Sequence, residues 1–241
     1  MTDIGTDDLQ QEVDRAERLR EKHGNIDAAM QKLGLVISLA EQYGYLLVLR
    51  NALAQRIVCN KHLYRLHGAE VYIHAMVQDC LHGLTLRIEP NQKAVFHFRS
   101  AEAHALVGKN QIAQDDYQLA LETVAKDSRE HAEILSSHAE FLADEGKMED
   151  ATHAFQKALV IYNDLRGTIS ESDWLTLQSG LYARLAKSAV NGGDYVFGAH
   201  RLGKAVQLAS WLCLRWGNRQ RLVLLCHEIW TELNKRLSRR S

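Results

Sequence analysis

The stretch from His138 to Ala158 restricts this chain more than any other. An apolar run stops at Gly146, and a second run opens at once with Ala151, Phe155 and Ala158 on one face. Two helices joined by a glycine turn fit this pattern. Small residues let the paired backbones approach, and one aromatic fills the groove between them.

The same grammar recurs. Ala101, Gly108, Ala113, Tyr117 and Ala120 are followed, each 38 residues on, by Ala139, Gly146, Ala151, Phe155 and Ala158. A weaker copy reads Ala186, Gly193, Tyr195, Gly198, Leu202 and Ala205, and a degenerate one near the start reads Gly24, Ile26, Ala29 and Leu33. The chain has one proline in 241 residues, and its 15 glycines mostly punctuate apolar runs. Alternating Val/Ile runs are absent, so an all-α fold without a sheet is predicted. The predicted helix pairs are 9–43, 45–88, 94–126, 129–165 and 173–216, with a last unpaired helix at 218–237. Glu89-Pro90-Asn91 is read as a break, since proline cannot continue a helix and Asn91 is a good cap. No Ser/Gly-rich linker divides the chain, so one continuous domain over 1–241 is expected.

These small–glycine–small–aromatic–small positions resemble the tetratricopeptide repeat, and Arg87-Ile88-Glu89-Pro90-Asn91 is similar to the usual end of such a repeat. The match covers roughly Ala94 to Leu165. It departs at the first-helix aromatic, which is His97 in one copy and Leu135 in the other, and in a spacing longer than the family's 34. The resemblance implies a right-handed α-solenoid of about five stacked antiparallel helix pairs plus a C-terminal capping helix, with a concave groove lined by first helices. It implies a non-catalytic interaction module, an adaptor or regulatory protein, that binds a protein or peptide in that groove. On this reading Phe98, Glu102, Ser136, Glu140, Ala183 and Lys187 face the groove. Glu133 joins Glu102 and Glu140 in an acidic surface that favours a basic ligand. Family members that clamp a C-terminal carboxylate need positive charge where this chain has Phe98, Glu102, Ser136 and Glu140, so that sub-class is not expected.

No GxSxG, P-loop, GxGxxG or zinc-ligand pattern is present, and neither an enzyme nor a cofactor is expected. Twelve histidines raise the question of a metal. His97 and His104 are seven apart, as are His131 and His138, whereas metal ligands on one helix favour separations of three or four. Packing or solvent-facing histidines are therefore expected, and no metal. Four cysteines without a CxxC pair read as reduced thiols. Asp115-Asp116 and Glu149-Asp150 fall at helix starts, where negative charge suits the dipole.

Charge is uneven. Nine acids against five bases between Met1 and Gly44 give −4, and eleven bases against three acids between Arg184 and Ser241 give +8. The basic end supplies the alternative reading, a nucleic-acid-associated repeat protein. Trp211, Trp216 and Trp230 either close the end of the repeat stack or form a homodimer or partner interface. Met1–Leu9 is polar and acidic, unlike a signal peptide. The longest apolar runs, Gly44–Leu49 and Leu222–Cys226, fall far short of the roughly 20 residues of a membrane span. A cytoplasmic protein without a membrane partner is expected.

Overall fold

Gly108 and Gly146, the repeated turn glycines, both adopt the left-handed conformation, with φ of 72° and 79°. A side chain would be strained there, so glycine can end one helix and start the returning one within a few residues. Around such turns the computed structural model builds ten α-helices, among the residues it describes: 5–210 and eight isolated positions between 223 and 238. They are α1 (Thr6–His23), α2 (Ile26–Tyr43), α3 (Leu46–His67), α4 (Val71–Thr85), α5 (Pro90–Leu106), α6 (Asn110–Thr123), α7 (Arg129–Asp144), α8 (Met148–Asp164), α9 (Glu171–Asn191) and α10 (Tyr195–Ser210). None of the described helices is long and apolar enough to cross a membrane. Most of the predicted capping helix at 218–237, together with Trp211 and Trp216, lies outside the described residues. Trp230 is described and is 64% exposed.

Pro90 departs from the sequence expectation. It opens α5 at the first helical position rather than breaking the chain ahead of Ala94. Proline's missing N–H is one of the donors that a helix start leaves unpaired anyway. Glu89 caps the helix, and its backbone N–H donates to Gln92 Oε1 at 3.3 Å. α4 and α6 end earlier than predicted for one shared reason. Leu86 and Val124, 38 residues apart, turn extended and bury their side chains.

The chain divides into two compact units, Met1–Val124 and Ala125–Ser241. In the first, α1/α2, α3/α4 and α5/α6 pack as successive hairpins, and the first helices of neighbouring hairpins also touch, α1 on α3 and α3 on α5. In the second, α7/α8 and α9/α10 pair, with α7 also meeting α9. Each unit is thus an all-α repeat of hairpins. The small residues sit at the contacts: Ala101, Ala113 and Ala120 are fully buried in one unit, Ala139 and Ala158 in the other. Tyr117 and Phe155 fill the equivalent grooves at 2% exposure each. At Gly83 of α4 the buried Phe96 ring of α5 packs directly on the glycine, and an added Cβ would lie 2.3 Å from it.

Candidate functional site

Several polar groups of the first helices α3, α5, α7 and α9 are turned inward, among them Lys61, Ser100, Glu102, Ser136 and Arg184. In α5, residues 97, 100 and 104 share one face by helical spacing, and that face meets Asp116 of α6. Ser100 Oγ donates to Asp116 Oδ2 at 2.7 Å, His104 Nδ1 lies 3.1 Å from the same oxygen, and His97 Nδ1 lies 3.9 Å from Oδ1. Burial pushes the Asp116 carboxyl upward. The contacts from His97, Ser100 and His104 outweigh it and hold the group below its ordinary value. The residue types are those of a Ser–His–Asp relay, but the arrangement differs. Ser100 donates to the carboxylate, and both Ser100 and Asp116 meet His104 at Nδ1, so the hydroxyl has no imidazole base of its own.

On the side of α5 toward α3, Glu102 accepts from Lys61 Nζ at 2.5 Å and from Arg99 Nη1 at 2.7 Å. Glu102 and Lys61 are 5% and 8% exposed. Arg99 also stacks on the Phe98 ring, 4.3 Å from its centroid. Nearby, Arg56 forms a two-pronged pair with Asp79, at 2.9 and 2.5 Å, which raises the Arg56 pKa. Cys80 lies within the field of Asp79, Arg99, Asp116 and Glu102, and burial pushes its thiol far up, as it pushes Cys59 to about 11. Neither is a reactive thiol.

The second unit repeats the motif with other residues. Glu140, 38 positions after Glu102, lies 3.2 Å from Arg184 Nε and 3.1 Å from Lys187 Nζ on α9. Arg184 also donates to Ser136 Oγ, and Lys187 reaches Asp144 at 3.6 Å. Burial, with the Glu140 charge behind it, raises the Asp144 pKa against the pull of Lys187. In each unit, then, an acid at one fixed repeat position ties its helix to a neighbouring first helix, Glu102 to Lys61 of α3 and Glu140 to Arg184 and Lys187 of α9. His138, also on α7, is driven down to about 4 by burial and by Lys147.

Against this geometry most of the sequence-derived groove residues change place. Phe98, Glu102, Ser136 and Ala183 are 2%, 5%, 1% and 1% exposed and pack inside the units instead of lining an open face. Glu133, Glu140 and Lys187 are half-buried. The expected acidity is also internally compensated, since Glu102 and Glu140 each have two cations of their own. Lys61, Arg99 and Arg184 were not singled out in the sequence as site residues, and Asp116, read there as a helix-start acid, lies inside α6 beyond its first turn. Lys61 could have been, because it precedes Glu102 by 41 residues, the separation that also joins Asn51 to Gln10 across the previous pair of first helices. His97 and His104 serve as carboxylate partners. Among the described residues no group of three His, Cys, Asp or Glu side chains is placed to hold a metal ion.

No family model matches this chain, and no curated protein matches it in sequence. Among solved structures it is similar to BtubC (BKLC) from P. vanneervenii, with a TM-score of 0.50 and 16% identity over 86% of this chain and 90% of that one. At that identity the likeness bears on fold alone, and it agrees with the all-helical arrangement of paired helices.

Proposed function

We propose that the chain is a non-catalytic interaction module of the tetratricopeptide-like kind, which takes a protein or peptide segment on a face of its first helices. One observation carries the reading. The 38-residue grammar is built twice as buried small-residue contacts, Ala101/Ala113/Ala120 and Ala139/Ala151/Ala158, while the acids at the equivalent positions 102 and 140 are each paired with cations, two apiece. A scaffold whose charges are consumed in holding hairpins together is suited to presenting a surface. On this reading the partner meets the half-exposed residues Glu133, Glu140 and Lys187, and selection for a basic ligand loses its original support because Glu102 is enclosed.

The test is capture of partners by the tagged chain from a lysate of its source at low and high salt, followed by mass spectrometry. A stoichiometric protein that survives high salt and is lost on Glu133→Lys, with the melting curve unchanged, supports the module and this face. Retention of that protein by Glu133→Lys would remove this face from the assignment.

A second reading has its own observation. The sequence from Tyr195 to His227 contains no acid. On α10, Arg201 stacks over Phe197 at 4.5 Å, with His200 and Lys204 exposed beside it. Basic and aromatic side chains interleaved in this way suit single-stranded nucleic acid. Binding of a labelled single-stranded RNA that falls steeply with salt and is lost on Arg201→Glu would favour this reading over the first.

A further inference from the structure

The segment joining the two units, residues 124–128, contains Asp127, which has a φ of 58° and is the one non-glycine residue with positive φ among those described. Three hydrogen bonds hold this turn. Ser128 Oγ donates to the Ala125 carbonyl at 2.7 Å. The His131 backbone N–H donates to Ser128 Oγ at 3.0 Å, which caps α7. The Asp127 backbone N–H donates to His131 Nδ1 at 3.1 Å. The arrangement is a capping box in which histidine takes the third helical position, where glutamate or glutamine is usual, and its ring accepts an amide just ahead of the cap.

The substitution matters because a glutamine acceptor does not titrate near neutrality and an imidazole does. A backbone N–H can only donate, so Nδ1 must be the unprotonated nitrogen of a neutral ring. A proton on Nδ1 would replace the acceptor with a donor facing another donor. The charged groups facing His131 are Lys126 and Asp127 from the joining segment and Lys157 from α8. Burial and the two lysines lower its pKa against the pull of Asp127, so the ring is neutral near pH 7 and gains its proton on acidification.

We propose that His131 is a protonation-controlled clasp on the segment that joins the two units. Neutral, it holds the Asp127 amide and the left-handed turn. Protonated, it releases both, while Ser128 still caps α7. A residue other than glycine stays in that conformation only while its surroundings hold it there, so release lets 125–127 relax to ordinary backbone angles.

The experiment is amide hydrogen exchange resolved at Asp127, read as protection relative to the intrinsic rate, alongside NMR titration of the His131 ring. Protection in the native chain should fall about tenfold between about pH 7 and pH 5, with the midpoint of the ring titration. His131→Gln keeps an uncharged acceptor and should stay protected across the whole range. His131→Ala should be unprotected throughout. If His131→Gln shows the native pH dependence, or if the ring titrates while the Asp127 amide stays protected, the clasp does not exist.

Discussion

Glu102 offers the most discriminating perturbation. It is 5% exposed and neutralises two cations at once, Lys61 and Arg99, whose side chains are only 10% and 15% exposed. Removing one partner of a buried pair leaves an uncompensated charge in a poorly solvated site, which costs about 3–5 kcal/mol. Glu102→Gln strands both cations and belongs at the upper part of that range. Lys61→Met leaves Glu102 still paired with Arg99 and should cost roughly half as much. For a chain of this size each kcal/mol moves the midpoint by about 2–4 °C, so Glu102→Gln should lower the melting of the first unit by roughly 10–20 °C. The two units need not melt together, so the loss is best followed by hydrogen exchange of α3 and α5 amides beside calorimetry. The double variant should cost clearly less than its two parts added, because the second change removes a cation that the first had stranded. Equal costs for the two single variants would refute the argument, since they would mean that Arg99 takes nothing from Glu102.

Other outcomes follow from single contacts. Gly83→Ala places a methyl into the Phe96 ring and should destabilise the first unit by about 1–3 kcal/mol in urea titration. The loss should shrink when Phe96 is also changed to Leu. Ala151→Leu overpacks the α7/α8 contact, where the residue is 1% exposed, and should cost a similar amount. Unchanged stability there would count against the repeat register. His138 is lowered to about 4 from an ordinary value near 6.5, so the fold favours its neutral form. Its contribution is complete above about pH 6.5, declines as pH falls because the unfolded chain takes the proton first, and levels off below about pH 4, a loss of roughly 3 kcal/mol. Urea midpoints of the native chain and His138→Gln across that window should converge at neutral pH and separate in acid.

The backbone was legible where one residue type has one physical use. Glycine at 108 and 146 reads as a turn because almost nothing else tolerates the angle, and the alanines beside it read as close contacts because nothing larger fits. Pro90 was misread because proline both breaks helices and starts them, and only the Glu89–Gln92 cap decides which. The site residues were less legible. Phe98 and Glu102 were placed on an open face by analogy, yet α5 is wrapped by α3, α4 and α6, and a helix enclosed on that many sides buries its polar face too. A buried ion pair has no periodicity of its own. Lys61 becomes meaningful only once it is set against Glu102, and none of the repeat copies read in the sequence falls in the second hairpin to fix that register. The division after Val124 left no trace in composition, because it falls in an ordinary-looking turn whose distinguishing feature is the angle of Asp127.

The buried ions have a consequence for how the hairpins choose their neighbours. The small-residue grammar is the same in both units, so apolar contacts alone distinguish poorly between correct and shifted stacking. Glu102 on Lys61 and Glu140 on Lys187 add a term that is favourable only when an acid-bearing first helix meets a base-bearing one. The hypothesis is that these pairs contribute specificity more than stability. Replacing Lys61, Arg99 and Glu102 together by Met, Leu and Leu removes the charges while keeping the volume, so the midpoint should be retained or raised. The amide spectrum should then show more than one set of resonances for α3 and α5, because the helices have lost the term that fixes their pairing. A triple variant that is both stable and uniformly single in its spectrum would show that packing alone sets the register.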